Sequence, residues 1–181
     1  MSTSIATVND CQHMRPCLPD SIKPLVTSKM VPTYSEQYGY DEVEGPWEAP
    51  EVSGGALECC RQHLRELQVY LEPAPAPKLI ARVAGLMAHF YVNDSRPELQ
   101  RAVAHDWSDA LGEFPWWAIA AACQKWVRME RRRPTPADIR DLCQRAVKED
   151  ARTKRRLEEI VRKNSGGVQR DNIASFRRMP A

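Results

Sequence analysis

The sequence predicts an all-α protein: a compact bundle of about five helices, with a disordered N-terminal arm and a long basic C-terminal helix. Three observations lead there. Apolar residues recur at steps of three and four from residue 56 onward, which is the spacing of one helix face. Prolines punctuate those stretches where a helix begins, the position that tolerates a missing N–H. Nowhere does an alternating apolar/polar run reach a useful strand length.

Three segments follow from this reading: a disordered, acidic, proline-rich arm over 1–55, a helical bundle over 56–148, and a basic helix extension with a flexible tail over 149–181. The arm holds Pro16, Pro19, Pro24, Pro32, Pro46 and Pro50 and few apolar clusters, a composition that cannot bury enough surface to fold alone. Its stretch "YSEQYGYDEVEGPWEAP" sets three tyrosines and a tryptophan among acids, and reads first as a linker or as an arm lying on the domain. The sharper alternative is a short motif that folds on a partner.

Each helix has its own signals. After Gly54-Gly55, Leu57, Cys60, Leu64, Leu67 and Leu71 draw one apolar stripe, which "EPAPAPK" stops. Pro77 suits the first turn of a second helix, whose stripe is Ile80, Val83, Leu86, Met87, Phe90 and Tyr91. In "NDSRPELQ", Ser95 is placed to cap and Glu98 follows three residues on, so a third helix starts there with Leu99, Val103, Trp107, Leu111 and Phe114 inward. Pro115 opens a fourth, in which Trp116, Ile119, Ala120, Cys123, Trp126 and Val127 form the buried stripe. Pro134 ends it. Thr135 caps the next helix, Pro136 takes its first position, and Asp138 adds negative charge where the helix dipole favours it. Ile139, Leu142, Cys143, Ala146 and Val147 face inward; beyond them only Leu157, Ile160 and Val161 remain to pack, and Gly166-Gly167 marks the end.

Charge is distributed unevenly. Residues 1–60 carry three Lys/Arg against nine Asp/Glu, whereas residues 128–181 carry sixteen against eight. A basic end on an acidic head implies a polyanionic partner for the end, or the head folding back over it. Mean hydropathy is −0.54, and no apolar run approaches the roughly 20 residues of a membrane helix. The start, "MSTSIATVNDCQHMRP", has no basic-then-apolar signal pattern, so cytoplasmic residence is the expectation.

Catalytic and cofactor chemistry find no foothold. The phosphate-binding glycine motifs, H-E-x-x-H and G-x-S-x-G are all absent, and His105-Asp106 occupy adjacent helix positions that point apart. Cys11, His13 and Cys17 with Cys59, Cys60 and His63 can be drawn as a zinc site, but no C-x-x-C pair supports it, and the expectation is no metal. Cys123 and Cys143 read as small core residues. Trp107, Trp116, Trp117 and Trp126 crowd into one region; three lie on apolar stripes, and Trp117, one step off, is the candidate for binding a partner. The basic end supplies the nucleic-acid candidates: Arg131, Arg132, Arg133, Arg152, Lys154, Arg155, Arg156, Arg162 and Lys163.

The block "HDWSDALGEFPWWAIAAACQKWVRMERRRPTPADIRDLC" resembles small helical proteins coded by phages and prophages of proteobacteria. It is more remotely similar to the helical domain of phage replicative-helicase loader and inhibitor proteins, over about residues 57–147. The resemblance implies a non-enzymatic, replication-associated adaptor with a protein partner, such as a replicative helicase or another replication or host complex, and DNA contact through the basic helix. The alternative is a counter-defence or host-takeover inhibitor that acts by occlusion or by nucleic-acid mimicry through its acidic head.

Overall fold

A computed structural model describes residues 14–35, 39–90 and 97–165, with the side chains of residues 35 and 39–41 left aside. The candidate ligands Cys11 and His13, the Ser95 cap, the Gly166-Gly167 stop and the C-terminal tail lie outside the described residues. The described chain is mostly helical, with six helices and one two-stranded sheet. The helices are α1 (Lys23–Val26), α2 (Gly54–Tyr70), α3 (Ala76–Met87), α4 (Pro97–Leu111), α5 (Trp116–Met129) and α6 (Pro136–Ser165); the strands are β1 (Met30–Ser35) and β2 (Gly39–Glu44).

The chain divides into two units. Among the described residues, one comprises 14–15 and 70–147, the other 16–69 and 148–165. The core of the first is a single cluster. Leu79, Val83 and Leu86 of α3, Trp107 and Leu111 of α4, Phe114, Ile119, Ala122, Cys123 and Trp126 around α5, and Ile139 and Cys143 of α6 are all buried in it. Most of these lie on the stripes that the helical spacing drew, since the period of 3.6 residues per turn decides which side chains leave water; Leu99 and Val127, expected inward, are 41% and 38% exposed. Leu79 replaces Ile80 as the inward residue of α3; Ile80 is 40% exposed. Pro75 and Pro115 are the N-cap residues of α3 and α5, Pro77 lies in the first turn of α3, and the chain entering α3 meets the chain entering α5 where the Ala74 N–H donates to the Phe114 carbonyl at 2.9 Å.

The second unit overturns two expectations. The chain is not purely helical, and within its described part the N-terminal arm is not a free segment. β1 and β2 form an antiparallel hairpin in which Val31 faces Val43 and Pro32 faces Glu42. Ile22, Val26 and Ala49 are buried, as are Leu57, Cys60 and Leu67 of α2 and Leu157 and Ile160 of α6. The arm has few apolar residues, but it also has polar partners. The Trp47 indole donates to the Leu25 carbonyl at 2.9 Å, Lys163 Nζ to the Ala49 carbonyl at 2.7 Å, and Asn164 Nδ2 to the Pro50 carbonyl at 3.0 Å. The part of α6 beyond Val147, sparse in apolar residues, supplies the partners of this segment. Gly54 opens α2 at φ +56°, a left-handed conformation that explains a glycine there.

Candidate nucleic-acid interface

Locally, the sequence builds a locked corner where α5 passes to α6. Glu130 leaves α5 in extended conformation, and Pro134 prevents the helix from continuing. Thr135 precedes the first residue of α6; the Asp138 N–H donates to its Oγ1 at 3.3 Å, and the Thr135 N–H donates back to Asp138 Oδ2 at 2.8 Å. This reciprocal pair is a capping box with aspartate in the usual glutamate position. Arg132 adds a fork of two bonds to Asp138, at 3.0 and 2.8 Å. Its guanidinium lies 4.8 Å from the centroid of the Trp126 ring, and its carbonyl accepts from the Trp126 indole at 3.1 Å. The Arg132 guanidinium, then the Thr135 hydrogen bonds, hold the Asp138 carboxyl well below the usual carboxylate range.

Arg132 is therefore held at both backbone and side chain. Its neighbours Arg131 and Arg133 are exposed, as is Arg128 one turn earlier, and none of the three has an ion pair among the described residues. Met129, 68% exposed, and Val127 lie in the same stretch.

The other predicted cations sit in the second unit, and the structure divides them. Arg156 is only 13% exposed in its side chain. Its Nη1 donates to the Val26 carbonyl at 2.6 Å, its Nη2 to Ser28 Oγ at 2.6 Å and to Glu44 at 3.1 Å, and the Trp47 ring lies 5.0 Å beneath it. Arg152 pairs with the same Glu44. Lys163 is taken by the Ala49 carbonyl. The donors of Arg156, Arg152 and Lys163 thus already serve the chain's own carbonyls, one hydroxyl and one carboxylate, and a phosphate has to displace those bonds. Arg132 is engaged in the same way, through Asp138. Lys154 and Arg162 have only long helical pairs, 3.9 Å to Glu158 and 3.8 Å to Glu159, and Arg155 is exposed with no pair among the described residues.

Trp117, the candidate for binding a partner, already has contacts within the chain. It is half-buried, stacks on Tyr70 with ring centroids 4.8 Å apart, and donates its indole N–H to the Tyr70 carbonyl at 2.9 Å. A tryptophan one step off the stripe found an aromatic partner at the end of α2. Nothing in the spacing of α5 signals that contact.

Among the described residues no three His, Cys, Asp or Glu side chains are grouped to hold a metal. Cys17 and Cys59 are exposed; Cys60, Cys123 and Cys143 are buried. Burial pushes the Cys143 thiol up to about 12, with Cys123 adding to the effect. His105 pairs with Asp109 at 3.1 Å rather than with the adjacent Asp106, and both are exposed. No described helix is long and apolar enough to cross a membrane.

Sequence reasoning missed Glu44 and Trp47 as partners of Arg156. The available signal was the opposed charge of the two ends of the chain, which allowed the head to fold back over the basic segment. No protein family, curated protein or solved structure matches this chain.

Proposed function

We propose that the protein is a phage or prophage replication-associated adaptor that works in the host cytoplasm, binds a protein of the replication machinery through its helical unit, and touches nucleic acid through exposed arginines. The supporting observation is the pattern at the α5–α6 corner. Three exposed arginines without carboxylate partners among the described residues surround one that is locked in place. Cations at a helix end favour the dipole and need no ligand, but Arg131 and Arg133 lie beyond the end of α5 in the connection to α6, where that term fades. The resemblance of residues 57–147 to helicase-loader helical domains supports a replicative helicase as the protein partner.

The alternative reading, an inhibitor that mimics nucleic acid through its acidic head, has less support. Glu44, the carboxylate of that head whose role is clearest, serves the chain's own Arg152 and Arg156.

The test is a binding titration of the full chain against labelled oligothymidine by fluorescence anisotropy. Affinity is expected to fall steeply as salt rises from about 50 to 300 mM, because each phosphate contact releases condensed counterions. Affinity that does not change over that range contradicts the nucleic-acid half of the proposal. Co-purification of the host replicative helicase that survives nuclease treatment supports the protein half, and loss of the helicase on nuclease treatment contradicts it.

A further inference from the structure

We infer that nucleic-acid contact is made by the α5–α6 corner through Arg128, Arg131 and Arg133, and that it grips the sugar-phosphate backbone without stacking on bases. The inference rests on the proposed function and narrows it to a site and a mode of recognition.

The first argument compares the two basic clusters. In the second unit Arg152, Arg156 and Lys163 already donate to Glu44, Val26, Ser28 and Ala49, so a phosphate gains there only what it displaces. At the corner the exposed arginines have no such commitment among the described residues. The corner is also preorganised. Arg132 is fixed by the Trp126 indole at its carbonyl and by Asp138 at its guanidinium, so the backbone that carries its two neighbours is set before any ligand arrives. Ordering cost on binding is then confined to exposed side chains.

The second argument concerns the rings. Base stacking on single strands needs an aromatic face open to the ligand. The chain has five tryptophans, and each is already engaged. Trp107 is buried; Trp116 lies under Lys78 at 4.3 Å; Trp117 stacks on Tyr70; Trp126 lies under Arg132; Trp47 lies under Arg156. The side chains exposed beside the corner arginines, Val127 and Met129, are aliphatic. Contact of this kind positions a strand and carries no sequence information.

The experiment uses the full chain, oligothymidine and a mixed-sequence duplex of about 20 units each, with poly-L-glutamate as a protein-like polyanion. The wild type is expected to bind both nucleic acids, and Arg131→Gln with Arg133→Gln to weaken both by about tenfold or more. Arg155→Gln should leave binding close to wild type, and tryptophan emission should stay nearly constant on saturation. Arg131 and Arg133 have no internal partners among the described residues, so unchanged far-UV circular dichroism is expected and separates lost contact from lost fold. The inference is overturned if the corner variant binds like the wild type, if Arg155→Gln is the variant that fails, or if oligothymidine strongly quenches tryptophan. Binding of poly-L-glutamate with no binding of either nucleic acid overturns it as well. If the wild type binds neither nucleic acid, the proposed function itself fails; binding that is intact but insensitive to the corner arginines sinks this inference alone.

Discussion

Arg156 Nη1 donates to the Val26 carbonyl at 2.6 Å and so joins positions 130 residues apart in the chain. Val26 is the last residue of α1, and the carbonyls at a helix end have no intrahelical N–H donor. A guanidinium satisfies one of them, and the same group reaches Ser28 and Glu44. Burial lowers the pKa of Arg156 from its ordinary value, though an arginine stays charged at any physiological pH. One residue of the basic helix thereby fastens the acidic head.

Replacing Arg156 should loosen that head. Arg156→Ala leaves Glu44 with Arg152 alone and strips the Val26 carbonyl and Ser28 of a donor. A loss of about 1.5 to 3 kcal/mol is expected, the range for hydrogen bonds to charged groups. Arg156→Lys should rescue little, since an ammonium cannot reproduce the planar fork or lie flat on Trp47. Chemical denaturation of the three proteins checks both statements.

The capping box at the start of α6 makes a pH prediction. The folded carboxyl of Asp138 is depressed by Arg132 and Thr135, so its contribution is fully present above the unfolded carboxylate range, about pH 4. The contribution declines as pH falls below that range through the folded pKa. Asp138→Asn should therefore lower the melting temperature at pH 7, and the difference from wild type should shrink as pH is taken down towards about 2. Thr135→Ala, which removes the hydroxyl that accepts from the Asp138 N–H, should cost about 1 kcal/mol.

Thiol reactivity should separate along burial. Cys17 and Cys59 are exposed and should be alkylated quickly at pH 8 in the native protein. Cys60, Cys123 and Cys143 have thiols pushed upward by burial and should react only after denaturation. Mass spectrometry of peptides after a short pulse of iodoacetamide reads the difference at each cysteine.

In the first unit the largest single loss should come from Trp107→Ala. Trp107 is 2% exposed and packs in the cluster with Leu111 and Cys123. Truncation of a buried aromatic to alanine costs about 3 to 5 kcal/mol, because transfer and cavity terms add. Val127→Ala, at an exposed position of α5, should shift the urea midpoint by far less.

The helices of the first unit were legible because local signals and burial agree. Pro75, Pro115 and Pro136 stand at helix starts, and Trp107, Ile119, Cys123, Ile139 and Cys143 fall inward at helical spacing. The second unit was legible only in its charge. β1 is interrupted by Pro32 and β2 carries three acids, so the strand-favouring Val31, Thr33, Tyr34, Tyr40 and Val43 do not stand out as six-residue strands. Ile22 and Val26 are too few to announce a core, and the hydrogen bonds that the segment accepts at Val26 and Pro50 come from side chains more than a hundred residues away. Of the predicted site, the capping of Asp138 by Thr135 follows from sequence, whereas the capture of Arg132 by Asp138 and Trp126 is a tertiary result. For the same reason, charge counting singled out Arg152 and Arg156 as free cations when Glu44 holds both.

The division of arginines into held and exposed is the claim on which the functional account depends, and amide hydrogen exchange over residues 22–49 of the wild-type chain tests it most directly. Protection in β1, β2 and the turn after α1, with a marked loss in Arg156→Ala, is the predicted result. Exchange at unfolded-chain rates throughout that segment of the wild type contradicts it, because Arg152 and Arg156 are then as available to a polyanion as Arg131 and Arg133.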